Sequence, residues 1–212
     1  MSTQPVNFIS PDEYLELERK AEFKSEYFDG QIFAMAGAKR RHNLLSAQAL
    51  VSIVVALRDR DCEAYGSDMR VCVSPSIGLY TYPDISAVCG EPRFLDGELD
   101  TLLNPKVIVE VLSPSTEDYN RGRKFDFFRE SPSLQQYVLV SLDSQRAVSY
   151  VRQSDGVAWL MRPLDNGSDT LNFPSLGVSV PLSDIYRDVE LSAPQPPQSD
   201  TAPNATPAAV TQ

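Results

Sequence analysis

A carboxylate within an apolar stretch is the residue in this sequence that most strongly suggests chemistry. Glu110 interrupts the otherwise apolar segment 107–112, which has the unbroken hydrophobic pattern of a strand buried on both faces. Burying a carboxylate is unfavourable unless the group is paired, protonated or bound to a metal. Glu110 is therefore a candidate site residue. The alternative is that it lies at a strand end and points into solvent.

A second acid, Asp84, stands at the start of another apolar strand. If this strand lies beside that of Glu110, the two carboxylates emerge at the same place in the sheet. They would repel each other, and a divalent cation would relieve the repulsion. Oxygen ligands of this kind suit Mg²⁺ or Mn²⁺. The sequence thus predicts a metal site formed by Asp84, Glu110 and, as a third ligand, the backbone carbonyl of Val111.

Phosphodiester cleavage at such a site also needs a positive charge that orients water or offsets charge in the transition state. Lys124 is the candidate, because it lies in a helix predicted directly after the strand of Glu110. A helix packed over the sheet could return this side chain to the strand end. The alternative is a solvated lysine on the helix surface.

A basic cluster precedes the second predicted helix and contains Lys39, Arg40, Arg41 and the single histidine, His42. Positive charge at a helix N-terminus favours phosphate binding, so these four residues are predicted phosphate contacts. Surface decoration remains the default explanation for three adjacent cations. His42 could instead face the metal site or act as a polar cap.

The elements that must position these residues follow from hydrophobic periodicity. Helices are predicted over 10–24, 41–60 and 117–130, and Asp29-Gly30 predicts a hairpin over 27–35. Further strands are predicted over 69–73, 82–88, 106–112, 136–142, 146–152 and 157–163. Residues 91–105 have a polar, turn-like pattern. The fold class expected is α/β, with a central mixed sheet flanked by helices and a β-rich C-terminal part.

Composition bounds the remaining possibilities. The 212 residues are 42% hydrophobic, which suits one domain over 1–191, followed by a proline-rich tail over 192–212 that is expected to be disordered. The net charge of −10 weighs against tight non-specific DNA binding without forbidding a cleavage site. No apolar run reaches membrane-spanning length and no secretory signal is evident. Three widely spaced cysteines favour a reducing cytoplasm, which is the predicted location.

Several motifs together resemble the Uma-two family of restriction-endonuclease-like proteins. They are Tyr82-Pro83-Asp84, the segment 109–116 (VEVLSPST) and the segment 118–125 (DYNRGRKF). The resemblance continues upstream at 26–32 with His42, and downstream at 133–140, so that it spans about residues 8–190. Each motif alone is weak, whereas the set is specific.

This resemblance implies a PD-(D/E)XK nuclease core in which Asp84 and Glu110 bind the metal. The usual lysine two positions after the glutamate is absent, because Leu112 stands there. In this family the role of that lysine looks to be taken by a residue of the following helix, which matches Lys124. Glu26 occupies a position where the family carries an acid, and it is a candidate catalytic residue as an additional metal or water ligand. An ordinary helix-end charge is the alternative.

The sequence also departs from the family pattern. Asn120 stands where members usually have aspartate, Phe128 where they have tyrosine, and Gln136 where they often have glutamate. A supporting carboxylate is lost at Asn120, for which Asp118 is a possible substitute. These changes leave the two metal acids and the lysine in place.

Two functions from different classes follow. The first is an Mg²⁺- or Mn²⁺-dependent endonuclease, a hydrolase that cleaves DNA phosphodiester bonds with metal-activated water and has no membrane partner. The alternative is a non-catalytic, dimeric binding or scaffold protein that retains the nuclease fold, favoured by Asn120 and the acidic surface. A homodimer is compatible with both.

Overall fold

The computed structural model describes residues 8–74, 78–113 and 116–191. Its helical elements are α1 (Pro11–Glu18), α2 (Arg40–Ala56), α3 (Glu117–Tyr119), a π-helical turn (Asn120–Lys124), α4 (Phe125–Phe128) and α5 (Leu182–Ile185). Its strands are β1 (Ser25–Phe28), β2 (Gln31–Ala34), β3 (Cys62–Gly66), β4 (Arg70–Ser74), β5 (Leu79–Thr81), β6 (Ile85–Cys89), β7 (Thr101–Leu102), β8 (Val107–Leu112), β9 (Gln136–Ser141), β10 (Ala147–Arg152), β11 (Trp159–Leu164), β12 (Thr170–Phe173) and β13 (Val178–Pro181).

The central element is a six-stranded mixed sheet in the order β11-β10-β9-β8-β6-β3. Strands β8 and β9 run parallel and are joined by the helical segment that starts at α3, whereas β6 pairs antiparallel with β8. Parallel neighbours need a crossover of this kind. All six residues of β8 are buried, as the apolar pattern predicts. The predicted α/β fold class, with a mixed sheet and a crossover helix, is therefore confirmed.

The two faces of β8 pack against different helices. Val107, Val109 and Val111 lie in one core cluster with the buried face of α2. Ile108 and Leu112 lie in another with Phe128 of α4. Because side chains alternate along a strand, Glu110 lies on the same face as Ile108 and Leu112, the face covered by the crossover segment. This alternation decides which helix can reach Glu110.

A second, five-stranded sheet has the order β2-β1-β5-β4-β7, and its strands alternate along the chain with β3 and β6 of the central sheet. The hairpin β1–β2 turns at Asp29 and Gly30, both with positive φ, as the Asp-Gly pair predicts. Ser10 caps α1, since its hydroxyl accepts a hydrogen bond from the Glu13 amide. This sheet carries Glu26 towards the central one.

A buried polar network ties α1 to this second sheet. Arg70, which is 2% exposed, donates to Tyr82 Oη (3.0 Å), Thr101 Oγ1 (2.9 Å) and Asp100 Oδ2 (2.7 Å). The Tyr82 hydroxyl in turn donates to Glu18 Oε1 at 2.9 Å. Since Tyr82 directly precedes Pro83 and Asp84, the network fixes the backbone from which Asp84 projects.

The structure also differs from the sequence-based expectations. Helix α1 ends at Glu18 rather than near residue 24, and α2 ends at Ala56 rather than near 60. The polar stretch 91–105 contains a short buried strand, β7, because Thr101 and Leu102 pair with β4. Segment 170–185, for which no element was predicted, forms β12, β13 and α5. The predicted disordered tail lies outside the described residues.

Two of the three widely spaced cysteines are paired. Cys62 and Cys89 face each other across β3 and β6 and form a disulfide, because the antiparallel register makes them direct partners. Cys72 is buried in β4. Within the described part of the chain, no helix has the length and apolar character needed to cross a bilayer.

We expect Arg70→Met to lower the free energy of unfolding by about 3 kcal/mol, because it removes a buried cation with three hydrogen-bond partners. The matched control is Arg19→Met. Arg19 also pairs with Asp100, at 2.8 Å, but is more exposed, so about 1 kcal/mol or less is expected. Urea unfolding measures both. Equal losses would contradict a special role for the buried arginine.

Candidate active site

The strand register brings the two predicted metal acids together. Ile85 pairs with Val109 in the antiparallel β6–β8 ladder, so Asp84, one residue earlier, stands opposite Glu110, one residue later. Cα atoms at such positions are about 4.5–5.5 Å apart. The Asp84 Oδ2 atom accepts a hydrogen bond from the Val111 amide at 2.8 Å. The end of β8 is therefore where these acids meet.

Lys124 lies in this buried site between two carboxylates. Its Nζ is 2.7 Å from Glu110 Oε1 and 3.4 Å from Glu26 Oε1. Lys124 is 5% exposed and Glu110 is 3% exposed, so neither is an ordinary surface charge. Glu26 is anchored on its other side, because it accepts a hydrogen bond from the Thr81 hydroxyl. Three residues singled out from the sequence thus form one ionic group.

Burial and charge act in opposite directions on this group. Burial raises the pKa of Glu110 to about 7, although the Lys124 ammonium favours the ionised carboxylate. Burial also opposes charge on Lys124, but the Glu110 and Glu26 carboxylates outweigh it and raise the pKa of Lys124 well above its ordinary value. Lys124 therefore stays an ammonium at neutral pH, and Glu110 takes up a proton more readily than an exposed glutamate.

A π-helical turn delivers Lys124 to the site. The turn covers Asn120–Lys124 and buries its first and last residues. Such turns are rare and occur often at functional sites. The Asn120 carbonyl accepts a hydrogen bond from the buried Tyr137 hydroxyl at 3.1 Å. Tyr137 pairs with Ile108 in the β8–β9 ladder, so it fastens the turn to the strand that carries Glu110.

His42 lies beside Asp84 and Val111. Its Nε2 atom is 3.2 Å from the Val111 carbonyl oxygen and 3.5 Å from Asp84 Oδ2. Ser46, one turn along α2, places its hydroxyl 3.4 Å from His42 Nδ1 and donates to Asp84 Oδ1 at 3.4 Å. Hydrogen bonding to Asp84 raises the pKa of the His42 imidazole. Of the interpretations open for His42, the contact seen is with the site of Asp84 and Val111.

The three neighbouring cations lie at the start of α2. Lys39 is the N-cap residue of α2 and Arg40 its first residue, and both are exposed. Arg41 pairs with Asp143 at 2.7 Å. Their role as phosphate contacts stays a prediction.

The oxygen donors fit a divalent cation of the Mg²⁺ class. Apart from the Lys124 ammonium, Glu110 Oε1 has no hydrogen-bond donor among the described residues, although it is fully buried. Asp84 Oδ2 and the Val111 carbonyl both lie beside His42 Nε2. Two carboxylates and a carbonyl are hard ligands that leave room for water. The described ranges contain no group of three or more His, Cys, Asp or Glu side chains suited to a metal. The Val111 carbonyl and water would therefore have to complete the ligand set of Asp84 and Glu110.

The positions that depart from the family pattern serve packing and backbone contacts. Phe128 is fully buried in the core beside Tyr137. Gln136 donates from Nε2 to Ser149 Oγ (2.8 Å) and to the Asn172 carbonyl (2.9 Å). It lies three residues before Leu139, the strand partner of Glu110. Among the contacts of the described residues, neither side chain reaches Asp84 or Glu110.

Sequence reasoning missed Ser46, Thr81 and Tyr137. Residues with hydroxyl groups are common on helices and strands, so a serine, threonine or tyrosine in the sequence does not by itself indicate a functional site. Ser46 follows His42 by one helical turn, a spacing that places both on one face and that points to a shared contact once α2 is assigned. Thr81 and Tyr137 depend on how the two sheets and the crossover meet.

The fold is mixed α/β with a central mixed sheet, and the comparisons place the chain within a family. Residues 11–183 match the family model Uma2, described as a putative restriction endonuclease, so the chain belongs to the Uma2 family. The resemblance seen in the motifs is thereby confirmed.

Two relatives from the cyanobacterium Synechocystis sp. cover most of the chain. The uncharacterized protein slr1290 is 39% identical over 184 residues, which is 86% of this chain and 94% of that protein. The uncharacterized protein sll1609 is 33% identical over 173 residues, or 82% and 97%. The crystal structure of a putative nuclease belonging to DUF820 from Anabaena variabilis superposes with a TM-score of 0.66 at 20% identity. The superposition covers 84% of this chain and 97% of the Anabaena variabilis chain. This likeness shows that the two chains share a fold.

We expect Tyr137→Phe to lower the free energy of unfolding by about 1–3 kcal/mol, because the buried Asn120 carbonyl loses its donor. Tyr150→Phe is the matched control: Tyr150 belongs to the same ring cluster, but its hydroxyl forms no hydrogen bond with any described residue. The free energy of unfolding of Tyr150→Phe should fall by no more than about 0.5 kcal/mol. Hydrogen exchange of residues 120–124 should accelerate only in Tyr137→Phe. Identical behaviour of the two variants would show that the hydroxyl does not hold the turn.

Proposed function

We propose that this protein is a divalent-metal-dependent endonuclease that hydrolyses phosphodiester bonds in DNA. The observation that carries the proposal is the buried Lys124 ammonium, 2.7 Å from Glu110 at the strand end where Asp84 also projects. Buried carboxylates and a lysine at one point suit attack on a charged phosphate. Membership of a family described as a putative restriction endonuclease supports this reading.

Asp84, Glu110 and the Val111 carbonyl would hold Mg²⁺ or Mn²⁺. A bound ion of this kind lowers the pKa of a coordinated water and offsets charge on the phosphate. Ser46 and the Val111 amide fix the Asp84 carboxylate, since they donate to its two different oxygens. The acid is thus oriented before any ligand arrives.

Lys124 supplies positive charge rather than a base. Its raised pKa keeps the ammonium protonated at neutral pH, so it can donate a hydrogen bond to a developing negative charge but does not accept a proton. Glu26 gives this ammonium a second partner, at 3.4 Å. If Glu110 held a metal ion, Lys124 would keep the Glu26 carboxylate beside it and would remain charged and buried.

His42 completes the support on the side of α2. Its Nε2 atom lies beside both Asp84 and the Val111 carbonyl, so the imidazole is placed to orient these two ligands. It would have to move aside if a metal ion took its place between them. The cytoplasmic location and the homodimer remain predictions from the sequence.

Metal binding should stabilise the folded protein. At about a hundredfold excess of Mn²⁺ or Mg²⁺ over its dissociation constant, the gain expected is about 2.7 kcal/mol, seen as a higher melting temperature. Asp84→Asn and Glu110→Gln should abolish the gain, and Asp126→Asn, an exposed acid on α4, should keep it. A melting temperature of the unaltered protein that does not respond to millimolar Mn²⁺ would favour the scaffold function.

Cleavage should depend on the same group. We expect Asp84→Asn, Glu110→Gln and Lys124→Met each to lower the rate of DNA cleavage in Mg²⁺ by roughly 10²–10³-fold, as is typical when an electrostatic contact to the reacting group is lost. Asp126→Asn should cleave at the normal rate. Gel assays on supercoiled and linear DNA measure the rate. Undiminished cleavage by all three site variants would refute the proposed function.

A further inference from the structure

A cleft of about 610 Å³ opens from Asp84 along one side of α2. One wall is formed by α2, with Ser46, Ala47 and Leu50, and the opposite wall by the end of β3 and the loop after it, with Tyr65 and Met69. Its volume lies within the roughly 300–1,000 Å³ of small-molecule sites. Asp84 is one of the residues that line the cleft, so a molecule that fills it lies beside the proposed catalytic group.

The lining of the cleft lacks cations among the described residues. Its charged members are Asp68 and Asp84, and its uncharged polar members include Asn43, Ser46 and Ser67. Lys24 contacts Ser67 and Asp68 from outside, but its charge is paired with Asp68. Such a surface repels a phosphate backbone and accepts an uncharged group. Leu50 and Met69 offer apolar surface to a flat ring.

We infer that this cleft holds the base of one unpaired nucleotide while its phosphate lies at Asp84 and Glu110, so that the substrate is single-stranded or locally unpaired DNA. This inference rests on the proposed function. A base in a duplex is stacked and paired, and must be extruded before it can enter a pocket between apolar side chains. Single strands present unpaired bases directly, without this cost.

The charge of the whole molecule favours the same substrate. Duplex DNA carries one negative charge for about every 1.7 Å of its axis, and proteins bind it through many cations. This chain has a net charge of −10, and Arg41 at the start of α2 is already paired with Asp143. Affinity must therefore come from a few close contacts, which a base in the cleft provides.

The test fills the cleft from each wall in the full-length protein. Ala47→Trp and Ser67→Trp place an indole at exposed lining positions on α2 and on the loop. Val51→Trp is the control, because Val51 lies one turn further along α2, is 56% exposed and does not line the cleft. Fluorescence anisotropy measures binding of a labelled single strand of about 12 nucleotides, and of its duplex, with Ca²⁺ on the metal ligands.

We expect the unaltered protein to bind the single strand about tenfold or more tightly than the duplex. Ala47→Trp and Ser67→Trp should each weaken single-strand binding by about tenfold or more, and Val51→Trp by less than about twofold. The Mn²⁺-induced rise in melting temperature should be equal in all four proteins, which shows that the metal acids are intact.

Two results would overturn the inference: equal affinity for single strand and duplex, or normal binding by both cleft variants. If the protein cleaves DNA and the cleft variants cleave normally, the cleft is refuted and the proposed function stands. If single-strand binding depends on the cleft but no DNA is hydrolysed, the nuclease function fails and the base-binding cleft is supported.

Discussion

A single buried ammonium is the constraint on which this structure depends. Lys124 lies in the interior between Glu110 and Glu26, and the burial of any one of the three charges would be unfavourable without the others. The three residues come from β8, from the helical crossover and from β1. Their mutual need for charge compensation therefore holds the central sheet, the crossover and the second sheet in one arrangement.

The surrounding structure acts mainly to fix that arrangement. Tyr137 fastens the π-helical turn to the central sheet, and the Arg70 network fixes Tyr82 just before Asp84. Ser46 and His42 hold Asp84 from the side of α2. These contacts come from different elements, and each restrains a group that would otherwise be free to turn away. A site of fixed carboxylates needs little rearrangement when a cation or phosphate arrives.

Much of this fold was predictable because its strongest signals are local. The buried strand β8, the Asp-Gly hairpin and the long helix α2 follow from hydrophobic pattern and turn chemistry. Glu110 stood out because a charge in an apolar strand is anomalous. The short strands β7, β12 and β13 were missed, because two to four residues give too little periodicity to detect.

The site was predictable only in part, because its contacts join distant segments. Lys124 could be assigned from the family motifs, but its spacing from Glu110 alone did not distinguish it from a surface lysine. Nothing local indicated the π-helical turn, which depends on a hydrogen bond from Tyr137 on a later strand. The pairing of Cys62 with Cys89 likewise required knowledge that β3 and β6 are neighbours.

The parallel pairing of β8 with β9 has a consequence for how the protein matures. Its contacts close a loop that contains the whole helical crossover, and the group at its centre draws in a residue as early as Glu26. Contacts between segments so far apart in sequence slow folding, since the chain must lose much conformational freedom before they form. A chain emerging from the ribosome therefore carries Glu26, Asp84 and Glu110 before it can bring them together, and this group of residues assembles only when β9 has been synthesised and docked.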